Sequence, residues 1–399
     1  MRISSGMIFS AGLASIQKQT ASLLHTQQQA ASGQRILTPA DDPVAAARAL
    51  EVEQAKNTNA LYQTNQKTAG ENLGLVEGRL VAVGDLLQTA RTLAVQGGIG
   101  ALSDADRRCI AMELRQRFDE LIGLANATDG SGQFLFSGYM GDTTPFSGSV
   151  AGGVGYAGDD GQRLLQVSAS RQIAVSDSGN DVFMRIRNGN GTFATSASSA
   201  NTGGGIIDAG SVVGSFVADT YTVSFAPSGS GLDYTVTGAT SGVVATGAYQ
   251  SGQAIVFNGA SVVITGTPAA SDQFQVAPSG SQSMFATLAN LITALEAPAT
   301  GSGANALLAN RIGSALTNLD QAEENLLRVR ATIGARQNEI DSLANAGEDL
   351  NLNYEQTLSR LRDLDYAAAL TRLTQQQMTL EAAQKTFVNV SGLSLFNYV

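Results

Sequence analysis

The chain has 399 residues, 43% of them hydrophobic and only 15% charged, with 44 glycines and no tryptophan. At about 100–200 residues per domain that length holds several domains, and 24 Lys+Arg against 34 Asp+Glu, a formal net charge of -10, is the wrong sign for neutralising phosphates. His25 is the sole histidine and Cys109 the sole cysteine, which excludes an intramolecular disulfide, a Cys/His zinc site and most histidine-dependent acid-base schemes.

The N-terminal residues make a poor cleavable signal, because the apolar stretch 7–16 is interrupted by Ser10, Gly12 and Ser15. Phe9, Leu13, Ile16, Thr20 and Leu23 instead step by three and four, the seam of a helix that wants a helical partner. A stop and a start follow. Gly33 suits the end of one helix, Asp42 suits the cap of the next, and Pro43 suits its first turn. Leu73, Val76, Leu80, Val83, Leu87, Ala90 and Ala94 then repeat the 3-4 alternation.

Between 140 and 285 the character changes: four Arg, nine Asp and neither Lys nor Glu. Turn signals such as Gly152-Gly153, Asn188-Gly189 and Asn258-Gly259 separate short β-prone runs at 221–225, 233–236, 243–244, 254–257, 261–264 and 273–276. That pattern predicts an all-β insert. The stretch 192–205, rich in Ser, Ala, Gly and Thr, offers little to bury and predicts a mobile loop.

After the insert, an apolar seam runs from Ile312 through Leu319, Leu326, Ile333, Ile340, Leu350 and Leu361 to Leu364, a helix of about 80 Å at ~1.5 Å per residue, a rod rather than a ball. Leu373, Gln377, Leu380, Gln384 and Phe387 form a last seam, and the 14 residues after Lys385 carry no charge. Leu393, Leu395 and Phe396 in that tail need burial, most simply against another copy. The expected fold is therefore α+β and multidomain: a long antiparallel helical bundle or coiled coil from both termini with an inserted all-β domain. The expected divisions are 1–40 with 365–399 for the terminal coiled coil, 41–139 with 285–364 for the helical rod, and 140–284 for the β insert.

Chemical motifs are few. Residues 153–158 fit GxGxxG, but no strand is expected before them, no helix after them, and Asp159-Asp160 would repel a pyrophosphate. The adjacent pairs Asp41-Asp42 and Asp159-Asp160 suit turns rather than the facing carboxylates of glycoside hydrolysis. Cys109 sits beside Arg107 and Arg108, yet a Cys-His nucleophile would need His25 to meet it. Arg107, Arg108, Arg115 and Arg117 read as a solvated or intersubunit helix face. No catalytic, cofactor or metal site emerges.

Ser32, Gly33, Arg35, Ile36, Asp41 and Asp42 match the Ser-Gly-x-Arg-Ile segment and paired-Asp turn of the flagellin superfamily, and Asp365-Tyr366-Ala367, 373–377 and 392–396 look like its C-terminal segment. Residues 132–139, followed by 142–146, are similar to the hook-associated branch of that superfamily. The resemblance implies a non-enzymatic structural subunit that polymerises through paired terminal helices. The assembly residues would be Phe9, Leu13, Ile16, Leu23, Leu373, Leu380, Phe387, Leu393, Leu395 and Phe396, with Gly33, Arg35, Asp41, Asp42 and Pro43 forming the turn and cap. It further implies copies of itself, hook-associated protein 1, flagellin and a flagellar export chaperone as partners, no nucleic acid, membrane or cofactor, and an extracellular place in the bacterial flagellum reached by the type III route without a cleaved signal. A filament flagellin with an unusual β insert is the alternative.

Overall fold

The computed structural model describes residues 5–229, 231–298 and 303–392. Six α-helices and fifteen strands are found among them: α1 (Ser5–Ser32), α2 (Pro43–Gly97) and α3 (Asp104–Ala125) precede the strands, α4 (Met284–Glu296), α5 (Ala304–Arg362) and α6 (Tyr366–Gly392) follow them. No helix among the described residues is long and apolar enough to cross a membrane. The chain divides into two compact units, Met1–Thr64 with Ser342–Val399, and Asn65–Asp341.

In the first unit α1 pairs antiparallel with α6: Ser22 accepts from Gln376, and Phe9 meets Phe387. The start of α2 pairs with the end of α5 through Lys56–Glu355, Arg362–Glu53 and an amide bond from Asn59 to the Gly347 carbonyl at 2.7 Å. Pro43 opens α2, where its missing N–H costs nothing. Along α5, Gly347 is buried and Tyr354 half-buried, whereas Leu350, expected on the seam, is exposed and its neighbour Asn351 is half-buried in its place. At ~3.6 residues per turn a strict alternation drifts around the helix, and the stripe moves with it.

In the second unit the α2 seam is buried at every expected position from Leu73 to Ala94. It faces an α5 that buries Ile312, Leu319, Ala322, Leu326, Val329, Ile333 and Ile340, with Arg330–Glu77 bonded along the edge. α3 begins with a capping box between Ser103 and Asp106 and packs on α4, which is capped by Ser283. Their contact runs into an aromatic cluster: Phe118 and Phe146 lie 6.1 and 5.3 Å from Phe285, and Phe183 lies 5.1 Å from Phe136 and 5.3 Å from Phe146. Hairpins β1 (Phe146–Ser149) with β2 (Gly153–Tyr156) and β3 (Leu164–Ser168) with β4 (Arg171–Ala174), and a π-helical turn at Asn180–Met184, thus belong to the same core as the helices. Residues 153–156 are the second strand of a hairpin whose first strand, β1, precedes them, contrary to the expectation of no strand before them, and Asp159 beyond them accepts from the Tyr139 and Gly161 N–H groups as a turn lock.

β5 (Ile186–Arg187) and β15 (Ser281–Gln282) pair as a short neck. Beyond it stand two sheets. One has the order β11 (Gly242–Ala248), β10 (Gly231–Gly238), β9 (Tyr221–Ser228), β14 (Gln273–Pro278), β6 (Phe193–Ala197). The other sets β12 (Ala254–Phe257) beside β13 (Ala260–Thr265), which also pairs β7 (Ile206–Ile207) and β8 (Ser211–Val212). Alternation places Tyr221, Val223 and Phe225 of β9, Ile255 and Phe257 of β12, and Phe274 and Val276 of β14 in one buried cluster. Asn258 at φ 41° and Gly259 at φ 81° close β12 onto β13, both central residues being left-handed as the tightest hairpin turn requires.

The expected mobile loop at 192–205 is corrected. Phe193–Ala197 is a strand whose Phe193 is fully buried, and the Asp272 carboxylate accepts from the N–H groups of Thr202, Gly203 and Ala269. Composition shows little to bury there, but one aromatic and one buried carboxylate suffice to fix the segment. Arg107 is likewise not on a solvated face: it is 4% exposed and donates to Asp104.

Candidate assembly interface

The turn from α1 to α2 is held by a small set of polar groups. Gly33, at φ +70°, ends α1 by donating to the Gln29 carbonyl. A Cβ there would stand 3.0 Å from the Tyr366 hydroxyl. Asp41 accepts from the N–H groups of Leu37 and Thr38 at 2.9 Å, and its other oxygen lies 3.0 Å from His25 Nε2. Asp42 accepts from Ala45 N–H at 3.0 Å as the cap of α2, and from Arg35 Nη1 at 3.1 Å. The Thr38 and Leu37 amides, with His25, hold the Asp41 carboxyl below its ordinary value, and the Ala45 amide and Arg35 guanidinium do the same for Asp42.

The same residues tie the two ends of the sequence together. Arg35 N–H donates to the Arg362 carbonyl at 2.7 Å, Leu364 N–H donates to Gly33 O at 2.9 Å, and Arg35 Nη2 reaches Leu361 O at 2.9 Å. Gln34 and Asp363 form a β-bridge. Gln29, buried, donates to the Arg35 carbonyl at 2.5 Å. Asp365 caps α6 through the amides of Ala367 and Ala368. Arg35 therefore reads both turns at once: one nitrogen bonds the cap of α2, another the last turn of α5. The sequence marked Gly33, Arg35, Asp41, Asp42 and Pro43 as local capping, and nothing in their spacing tells of the bridge to 361–364.

Along the α1–α6 pair, Ile16, Leu23, Leu373 and Leu380 are half-buried, and Phe9 packs on Phe387 at 5.0 Å between ring centroids. Gly12 lets that ring in, since a Cβ there would meet it at 2.7 Å. Leu13 remains exposed. Leu393, Leu395 and Phe396 lie outside the described residues. A single pair of helices cannot cover its own apolar surface: Met7, Ile8 and Leu24 on α1, and Leu370, Met378 and Val388 on α6, all face outward. Leu370 continues the α6 seam by one step of three, while the others fall off the 3-4 alternation and are not marked by it. The signal that finds them is the presence of apolar residues on a second face of the same helices.

Comparison with known proteins gives a consistent answer. Residues 3–140 match the bacterial flagellin N-terminal helical region and residues 316–399 the bacterial flagellin C-terminal helical region. Flagellar hook-associated protein 3 of Escherichia coli is 28% identical over 400 residues, covering 99% of both chains. The flagellar junction protein of Legionella pneumophila is 34% identical at a TM-score of 0.73, spanning 79% of this chain and all of its own. Its counterpart from Xanthomonas campestris is 32% identical at a TM-score of 0.71, spanning 77% of this chain and 99% of its own.

Proposed function

The chain belongs to the flagellin family, and from that premise we propose that it is a structural subunit of the junction between flagellar hook and filament. The full-length likeness to hook-associated protein 3 favours this reading over the filament-flagellin alternative. The observation that carries the mechanism is the outward apolar face of the α1–α6 pair.

Assembly follows from that face. A patch that meets a different patch on the next copy is a heterologous contact, and repeating it about a screw axis builds an open tube. The outward residues of α1 and α6 supply the patch; Leu393, Leu395 and Phe396, which the sequence assigns to the same role, lie outside the described residues. The Arg35 lock supports the reading because it ties the α1–α2 turn to the α5–α6 turn, so both terminal helices are presented together. Copies of this chain are the first partners, with hook-associated protein 1 on the hook side and flagellin on the filament side. Before assembly the apolar face of α6 needs cover, which suits an export chaperone, and one cysteine makes no demand for oxidation during export through the flagellar type III route. The test is addition of the purified full chain to hook fragments that end in hook-associated protein 1, followed by flagellin. The reading expects flagellin to extend only fragments that carry the chain, and equal extension without it contradicts the junction role.

A further inference from the structure

Residues 188–280 close a hydrophobic core of their own. Every buried member of that cluster lies between 193 and 276, from Phe193 on β6 to Val276 on β14, and no helix contributes to it. The aromatic cluster of the helical body stops at Phe183 and resumes at Phe285. Between the two cores runs the neck: β5 with β15, two residues per strand, continued by Asn188, which donates to and accepts from Gly280.

A polar seam forms a second attachment, beside a close approach of the Thr202–Gly203 backbone to Gly303. Asn310 of α5, 7% exposed, accepts from Ile207 N–H at 2.8 Å and donates to Gly205 O at 3.0 Å. Two turns on, Asn318 accepts from Gly189 N–H at 2.8 Å. Cavities of about 320 and 160 Å³ flank Asn310, and polar side chains such as Ser196, Thr287 and Ser314 in the larger and Thr195, Asp208 and Thr317 in the smaller share their linings with apolar ones. Exchanging buried amide bonds for bonds to water costs little net free energy, whereas opening either hydrophobic core exposes apolar area.

We propose that residues 188–280 swing as a body on the neck, with Asn310 and Asn318 as the latch that holds them to α5. Release of the latch wets the seam and leaves both cores intact. The sandwich then changes its angle without the helices moving.

Hydrogen exchange on the full chain tests this. In the wild type, the Ile207 and Gly189 amides should exchange through an opening that low denaturant barely accelerates, because little surface is exposed. The central amides of β9 and β10 should exchange only through denaturant-sensitive unfolding. In the Asn310→Ala, Asn318→Ala chain, exchange at Ile207 and Gly189 should rise on the order of tenfold or more, with β9 and β10 unchanged. Unchanged protection at 189 and 207 overturns the latch. So does loss that spreads through β9 and β10, or a common denaturant dependence for all four sites in the wild type, a result that needs no variant to fold.

Discussion

Replacing Leu24, Leu370 and Met378 by glutamine separates an assembly face from a private core. These side chains sit on α1 and α6 at 55%, 55% and 65% exposure, so the isolated chain gains little from them. Gln, Leu and Met have nearly equal helix propensity, and surface changes of this kind shift stability by about 0.5 kcal/mol or less. In an assembly the remaining half of each side chain would be buried. Full burial of a Leu or Met is worth about 1.5–3 kcal/mol, so each substitution removes roughly 1 kcal/mol or more of contact free energy. The three together remove ~3–4 kcal/mol, which at 1.4 kcal/mol per decade raises the critical concentration for growth on a seed by about 100-fold to 1,000-fold. The assay is elongation from hook or filament fragments followed by sedimentation, beside the thermal midpoint of the unassembled chain. An unchanged critical concentration refutes the reasoning, as does a midpoint lowered by many degrees, which would place the residues in the chain's own core.

Other predictions follow from single sites. Gly33→Val forces a β-branched residue to φ +70° and against Tyr366, a strain of about 1–3 kcal/mol, and should lower the midpoint of the unit formed by the two ends, read by circular dichroism. Phe183→Ala empties the centre of the aromatic cluster and should cost roughly 3–5 kcal/mol in denaturant unfolding, with the 193–276 core keeping its exchange protection. Asp41 and Asp42 have folded-state pKa values below the ordinary 3.8. Their stabilisation is therefore complete above that value and is lost as pH falls through the lowered ones. Helix content of the full chain should drop with acid below about pH 4, and the Asp41→Asn, Asp42→Asn chain should show a shallower acid slope.

Periodicity carries far where burial is one-sided. The α2 seam from Leu73 to Ala94 and the strands at 221–225, 254–257 and 273–276 follow from alternation alone. Other features depend on partners distant in sequence. Phe146 and Phe183 look like β-insert residues, but Phe118 and Phe285 recruit them to the helical core. Segment 192–205 reads as low complexity, since Asp272 and Asn310, which fix it, lie about 70 and 105 residues away. Arg35 announces a cap through Asp42, while its bond to Leu361 spans 326 residues. The proposed assembly face is legible only in part, because a 3-4 alternation marks residues that pair within the chain and not Leu24 and Met378, which lie exposed on the other face.

Sedimentation with helix content decides whether the terminal helices are assembly elements. The full chain is measured beside a chain lacking residues 1–40 and 365–399, each alone and with hook or filament fragments as seeds. An assembly role for the ends requires that the shortened chain stay folded and monomeric and never join a seed, while the full chain joins it. Equal behaviour of the two chains, with neither adding to a seed, would contradict it.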